Sequence, residues 1–217
     1  MLDPIEVSFK AASTSWGIKK ELERLGEIKT LGFDVETRSL YSTKERKTAE
    51  ELLKRTDLNL EEKKKYMLIS NTSGLSHPSL VQTTHFIFGE SESFSTVLVA
   101  ETPYVEQAIW DWLVQTDSLF LIHNSLFDLR ICHHRTGRIV NNFTDTALVT
   151  KTLVNDANNA KSRTGLKHLM GSYYPPAWSL FEDYDNPNLK DPKALLYAAT
   201  DGCAVYKLWE LLQEETK

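Results

Sequence analysis

Thr30-Leu31-Gly32-Phe33-Asp34-Val35-Glu36-Thr37 is the stretch on which the reading of this chain turns. Leu31, Phe33 and Val35 alternate with Gly32, Asp34 and Glu36, the two-residue period of a strand with one apolar face. Asp34 and Glu36 then point the same way, with Val35 behind them in a core. Two like charges this close repel and raise each other's pKa unless a cation sits between them. A divalent metal is the usual neutraliser, and hard cations such as magnesium prefer carboxylate oxygen. An edge strand with two solvated acids fits the same eight residues equally well, so the rest of the chain decides.

Composition sets the frame. At 217 residues, 41% hydrophobic and 25% charged, the chain suits a single soluble domain spanning 1–217, with an N-terminal extension (1–26) and a charged insertion (42–70). A net charge of −5 argues against a protein that coats nucleic acid nonspecifically. It is compatible with an enzyme that brings phosphates to an acidic site loaded with cations, which reverse the local sign. Cys132 and Cys203 give neither a disulfide framework nor metal-knuckle spacing. With no apolar signal core and no run of about 18 apolar residues, the expectation is a cytoplasmic protein without a membrane span.

Around the opening stretch, residues 1–13 read as a polar lead-in. Ser15 to Leu25 reads as a helix with Trp16, Leu22 and Leu25 at helical spacing and Gly26 as its stop. Residues 42–70 alternate in charge and read as one or two solvated helices interrupting a sheet, or as a basic clamp beside a site. Asn71-Thr72-Ser73-Gly74 reads as a loop. Val81–Gly89 and Phe94–Val99 are β-rich runs that pair as a hairpin beside the first strand. Thr102-Pro103 opens a helix with Val105, Ile109, Trp112 and Leu113 as its buried stripe. Ser118 to His123 is a central strand, and Asn124-Ser125 turns it into a helix. A short strand at Asn142–Thr146, a helix from Ala147, a loop over Asn155–Ala160, a short helix at Gly165–Met170 and an irregular Tyr-Pro-Pro stretch follow. Asp191-Pro192 then opens a long last helix running to about Glu214. The order predicts an α/β fold: a mixed sheet of about five strands, the first three an antiparallel meander, covered by helices on both faces.

Two further acids join the first pair. Asp128 falls one turn into the helix that leaves the central strand, near a strand's C-terminal edge, where α/β sheets gather ligands. A dipole partner of that helix is the competing reading. In the last helix, Tyr197 and Asp201 are four apart and share a face. Gly202 follows Asp201 in mid-helix at a cost of about 1 kcal/mol against alanine, which implies a close backbone neighbour.

Phe33-Asp34-Val35-Glu36-Thr37, His123-Asn124 with Phe127-Asp128, and Tyr197-x-x-x-Asp201, in this order, resemble the three motifs of the DEDD superfamily of 3′–5′ exonucleases. The tyrosine four before the last aspartate resembles the DEDDy branch, which includes the proofreading domains of family A DNA polymerases and ribonuclease D-like enzymes. The resemblance covers roughly Ile28 to Leu212 and implies a ribonuclease-H-like fold. It also implies two divalent cations, Mg²⁺ or Mn²⁺. Asp34, Glu36 and Asp201 would hold the first with the attacking water. Asp34 would bridge to the second, and Asp128 would support that one. Tyr197 would orient the water; with a pKa near 10 a tyrosine is a poor base at pH 7. Thr37, Asn124 and Phe127 match substrate-contacting positions, Phe127 being equally well placed for plain core. His123 is expected to end its strand and pack. Asp145 is expected to cap a helix. Arg130, His133, His134, Arg135 and Arg138 form one basic cluster and Lys161, Arg163, Lys167 and His168 another. Either suits phosphate contacts, with solvated surface as the default.

The insertion departs from compact members, and nothing resembling a polymerase region or an RNA-binding helical domain accompanies the motifs. The leading expectation is a metal-dependent exonuclease acting on single-stranded or frayed DNA 3′ ends, with a DNA polymerase as partner in cis or in trans. A ribonuclease of the same mechanism is the nearest alternative. A catalytically silent module that binds nucleic acid or a polymerase is the alternative from another class.

Overall fold

The computed structural model describes residues 4–70, 78–154, 164–174 and 188–215. The loops expected at 71–74 and 155–160, Lys161, Arg163 and the Tyr-Pro-Pro stretch beyond Tyr174 lie outside the described residues. In chain order the elements are β1 (Ser8–Ala12), α1 (Ser15–Leu25), β2 (Thr30–Ser39), α2 (Thr43–Leu52), α3 (Leu60–Ser70), β3 (Val81–Gly89), β4 (Phe94–Val99), α4 (Pro103–Leu113), β5 (Leu119–Ile122), α5 (Leu126–Thr136), β6 (Phe143–Asp145), α6 (Thr146–Val154), α7 (Leu166–Met170) and α8 (Pro192–Glu215).

Six strands form one sheet in the order β1-β4-β3-β2-β5-β6. β3 and β4 are antiparallel, whereas β1–β4, β2–β5 and β5–β6 are parallel. This is the mixed α/β sheet expected, with one strand more than the predicted five. The extra strand lies in the segment read as a polar lead-in. β1 pairs Ser8 with Phe94 through Ala12 with Leu98 at the sheet's edge, and its residues are exposed or half-buried. An edge strand with a wet face needs no apolar run, so composition hid it. β2 also runs past the stretch first quoted, to Ser39.

The alternation in β2 separates two environments. Leu31, Phe33 and Val35 are buried, and Phe33 meets Phe88, Trp110 and Phe120 at ring-centroid distances of 5.5, 6.3 and 5.6 Å. Trp110 and Ile109 bring α4 onto this face. The opposite face carries Gly32, Asp34 and Glu36 and receives α8. A Cβ on Gly32 would stand 2.5 Å from the Gly202 carbonyl oxygen, and one on Gly202 would stand 2.6 Å from Ile87 Cγ2 and 3.1 Å from the Gly89 nitrogen. Three glycines therefore let helix and sheet backbones nearly touch, which is the close neighbour that mid-helix Gly202 implied. Ala198, Ala199 and Ala204 are buried along the same helix.

Polar ties fix α8 along its length. Ser95 Oγ donates to the Ala199 carbonyl at 2.8 Å. His85 Nε2 lies 2.8 Å from the Leu189 carbonyl. A carbonyl only accepts, so Nε2 carries the ring proton, and burial lowers the pKa of this imidazole. Asp191 accepts from the Lys193 N–H at 2.8 Å, the start expected from Asp-Pro. α1 follows its predicted bounds and α4 its predicted start, with Thr14 and Thr102 as side-chain caps. In α1, however, Trp16 is 74% exposed, and Ile18, Leu22 and Leu25 form the buried stripe. Among the described residues no helix is long and apolar enough to cross a membrane.

By internal contacts the chain divides into two units, residues 1–36 with 84–217 and residues 37–83. The second unit encloses the helical insertion predicted over 42–70. Its helices are capped as their sequences suggest. Ser42 and Glu45 form a reciprocal capping box, and Asn59 with Glu62 does the same. Ala49 and Ile69 are its buried apolar residues on α2 and α3. Within the same unit the Arg38 guanidinium donates to Gln82 Oε1 at 2.7 Å, and the Leu40 N–H to the Leu80 carbonyl at 2.8 Å.

Candidate active site

Strand period, a strand-to-helix turn and a helical turn bring the predicted acids together. Asp34 and Glu36 come from the α8-facing side of β2, and Asp201 comes down from α8. One carboxylate oxygen from each lies within 4.8 Å of the other two. Asp128, in the first turn of α5, is close enough to act electrostatically on Glu36 and to feel Asp34, although it lies outside that group of three. It is buried, and its Oδ1 has no hydrogen-bond partner among the described residues. The glycine contacts between β2, β3 and α8 set the spacing, because any Cβ there would push Asp201 away from Asp34.

Such a group is electrostatically strained without a cation. Burial raises the Asp34 pKa to about 6, against the pull of the Val35 N–H and the Lys167 charge. Burial, then the negative charges of Asp34 and Asp201, push Glu36 well above the ordinary carboxylate range. Burial, then Asp34, do the same to Asp128. Carboxylates whose negative charges oppose one another, one with a buried oxygen unpartnered among the described residues, fit hard oxygen-seeking cations such as Mg²⁺ or Mn²⁺. The donor set therefore suits the two-cation expectation.

Tyr197 stands one turn before Asp201 and is half-buried. Burial, then Asp201, Glu36 and Asp34, raise its pKa above the usual value for a phenol, so the hydroxyl keeps its proton. Lys167 from α7 donates to the Tyr197 hydroxyl, with Nζ 4.2 Å from the ring centroid. A cavity of about 370 Å³ opens over the acids, lined among others by Asp34, Asp201, His123, Lys167 and His168.

The remaining predicted residues divide. His123 packs as expected. Its Nε2 lies 2.7 Å from the Thr164 carbonyl and its Nδ1 3.0 Å from Thr146 Oγ1. Burial lowers its pKa, so it is neutral. Asp145 does more than the single cap foreseen. It accepts from the Ala147 and Leu148 N–H groups at the start of α6. It also accepts from the Asn124 and Ser125 N–H groups and Ser125 Oγ before α5. Burial would raise its pKa, but these bonds outweigh it and hold the carboxyl below its ordinary range. Asn124 is exposed at φ 63°, a left-handed conformation that asparagine tolerates better than most residues. Phe127 is half-buried, and Thr37 is the first residue of the second unit. In the basic clusters, Arg135 pairs with Glu106 at 2.9 Å, while His133 and Arg138 are exposed. Sequence reading gave Lys167 a place in a basic cluster suited to phosphate contacts, with solvated surface as the default; it is exposed, and its contact with Tyr197 crosses 30 residues and leaves no local signal.

No family model and no curated protein sequence matches the chain. Solved structures do. The EXO domain of Aedes aegypti Nibbler matches with a TM-score of 0.62 at 9% identity, over 99% of this chain and 92% of that one. Escherichia coli RNase D matches at 0.60 and 12% identity, over 97% of this chain. Brucella melitensis NrnC with bound Mg²⁺ matches at 0.54 and 13% identity, over 97% of this chain and 82% of that one. The chain spans 45% of the length of the RNase D it matches. The chain thus shares the fold of these solved structures, the ribonuclease-H-like one that the motifs implied.

Proposed function

We propose that this chain is a metal-dependent 3′–5′ exonuclease that hydrolyses phosphodiester bonds at single-stranded 3′ ends and releases nucleoside 5′-monophosphates. The observation that carries it is the convergence of Asp34, Glu36 and Asp201 within 4.8 Å, with Asp128 electrostatically coupled to Asp34 and Glu36 and Tyr197 one helical turn before Asp201. Asp34, Glu36, Asp128 and Asp201 would hold two divalent cations. When bound, such a pair supplies charge stabilisation for the entering and leaving oxygens of an in-line displacement and lowers the pKa of the attacking water. Tyr197, a neutral hydroxyl, would orient that water. Asp145 keeps the β5–α5 turn rigid, so that Asp128 and Asn124 stay in place. Thr37, Asn124 and Phe127 are proposed contacts to the terminal nucleotide.

The motifs report the chemistry and not the sugar. DNA was the sequence-based expectation. RNA stands beside it because E. coli RNase D, one of the structural neighbours, is described as an exoribonuclease involved in structured RNA processing. A polymerase partner rests on the motif resemblance alone. Matched 3′-labelled and 5′-labelled single-stranded RNA and DNA oligonucleotides with Mg²⁺ or Mn²⁺ test the proposal. Stepwise 3′ shortening of one or both is expected. No shortening of either, or equal shortening by Asp34→Ala, would refute it and favour the silent binding module.

A further inference from the structure

Lys167 has no part in the mechanism above, yet it makes two contacts with one catalytic side chain. Its Nζ donates to the Tyr197 hydroxyl and lies 4.2 Å from the ring centroid. The lysine is also placed by fixed structure. Thr164, three residues before it, is tied through its carbonyl to His123 at 2.7 Å. Met170, three residues after it, is buried in an apolar cluster with Tyr174, Cys203 and Leu208. Gly165, Leu166 and His168 line the cavity over the acids together with Lys167.

The hydrogen-bond chemistry gives this contact a direction. An ammonium group has three donors and no acceptor, whereas a phenol has one donor and acceptor lone pairs. The Tyr197 oxygen must therefore accept from Nζ, and its own proton must point elsewhere. Asp201, Glu36 and Asp34 all act electrostatically on this phenol, so its proton faces a negative field on their side. Without Lys167 this direction is no longer imposed on the hydroxyl. Resting on the exonuclease reading, we infer that Lys167 is a positioning residue. By occupying the acceptor side of the Tyr197 hydroxyl, it turns that proton toward the carboxylate cluster, where the attacking water would stand. Tyr197 then acts as a donor of fixed direction.

The test is a double-mutant cycle. Rates of 3′ shortening are measured for wild type, Lys167→Met, Lys167→Arg, Tyr197→Phe and the Lys167→Met/Tyr197→Phe pair. Loss of one charge-assisted hydrogen bond should lower kcat about 10- to 100-fold in Lys167→Met, with KM within about threefold. Lys167→Arg, which keeps a cationic donor, should recover most of the rate. In the Tyr197→Phe background, Lys167→Met should change kcat less than about twofold, because the group it acts through is gone. Calorimetric titration with Mn²⁺ should show Lys167→Met binding the metal at least as tightly as wild type, since a neighbouring cation has been removed. Multiplicative effects of the two substitutions, a rise in KM at unchanged kcat, or weakened Mn²⁺ binding would each overturn the inference. Wild type that shortens no oligonucleotide would refute the exonuclease reading instead. The contact itself is then read from the ring-carbon NMR resonance of ¹³C-labelled Tyr197, which must shift in Lys167→Met; no shift overturns this inference in either case.

Discussion

Asp34 is the acid that the others respond to. Its charge acts on Glu36, Asp128 and Tyr197 alike. Asp34→Asn should therefore lower 3′ shortening by about 10³-fold or more, with far-UV circular dichroism unchanged. Loss of helical signal would mean that the residue is structural. Tyr197→Phe removes a hydroxyl and little volume, so kcat should fall about 10- to 100-fold with KM nearly constant; an unchanged kcat would remove Tyr197 from the mechanism. These side chains were legible in the sequence because local periods place them: two residues for Asp34 and Glu36, four for Tyr197 and Asp201. Lys167 was not, because its partner is set by how α7 meets α8. Asp145 was half-legible. Its role at α6 follows from adjacency, while its bonds to Asn124 and Ser125 come from pairing of β5 with β6.

At the level of elements, the approach of α8 to the sheet depends on having no side chain at Gly32, Gly89 and Gly202. Gly202→Ala would place a methyl 2.6 Å from Ile87 Cγ2 and 2.9 Å from Ser95 Oγ. The helix must back away, at a cost of about 1–3 kcal/mol. Thermal melting should fall by several degrees, and activity should fall further than stability does, because Asp201 moves with the helix. Asp145→Ala uncaps one helix and frees the turn into another, a loss of about 1 kcal/mol for each start. Chemical denaturation should show a lower midpoint at unchanged slope, and a midpoint within error of wild type would contradict the double cap. Helix starts such as Thr102-Pro103 and Asp191-Pro192 were readable because capping is local chemistry. β1 was not, since Ser8 to Ala12 gains its structure only from pairing with β4.

For the whole molecule, the acids set against one another have a thermodynamic signature. Asp34 titrates near pH 6 when folded, above the usual carboxylate range near 4, and Glu36 and Asp128 are raised as well. The folded chain therefore binds protons that the unfolded chain has released, and stability contributed by these groups falls as pH rises through about 4 to 6 and above. His85 and His123, kept neutral by burial, act in the opposite sense below about pH 6.5. The diagnostic quantity is accordingly the difference between wild type and Asp34→Asn in a chelator. The variant should melt higher, and its advantage should grow from pH 5 to pH 7.5. Millimolar Mg²⁺ or Mn²⁺ should raise the melting temperature of wild type at pH 7.5, by mass action, and leave Asp34→Asn nearly unmoved. A flat difference across that range, or an equal metal response, would contradict the proposed donor set. The wide spacing of that set along the chain has a consequence for synthesis. Asp201 lies 165 residues after Glu36. At about 5–20 residues per second, a ribosome needs roughly 10–30 s after making the first pair before it has made the last of these carboxylates. Until α8 emerges and docks, a nascent chain therefore lacks one of the three carboxylates that converge in the folded protein.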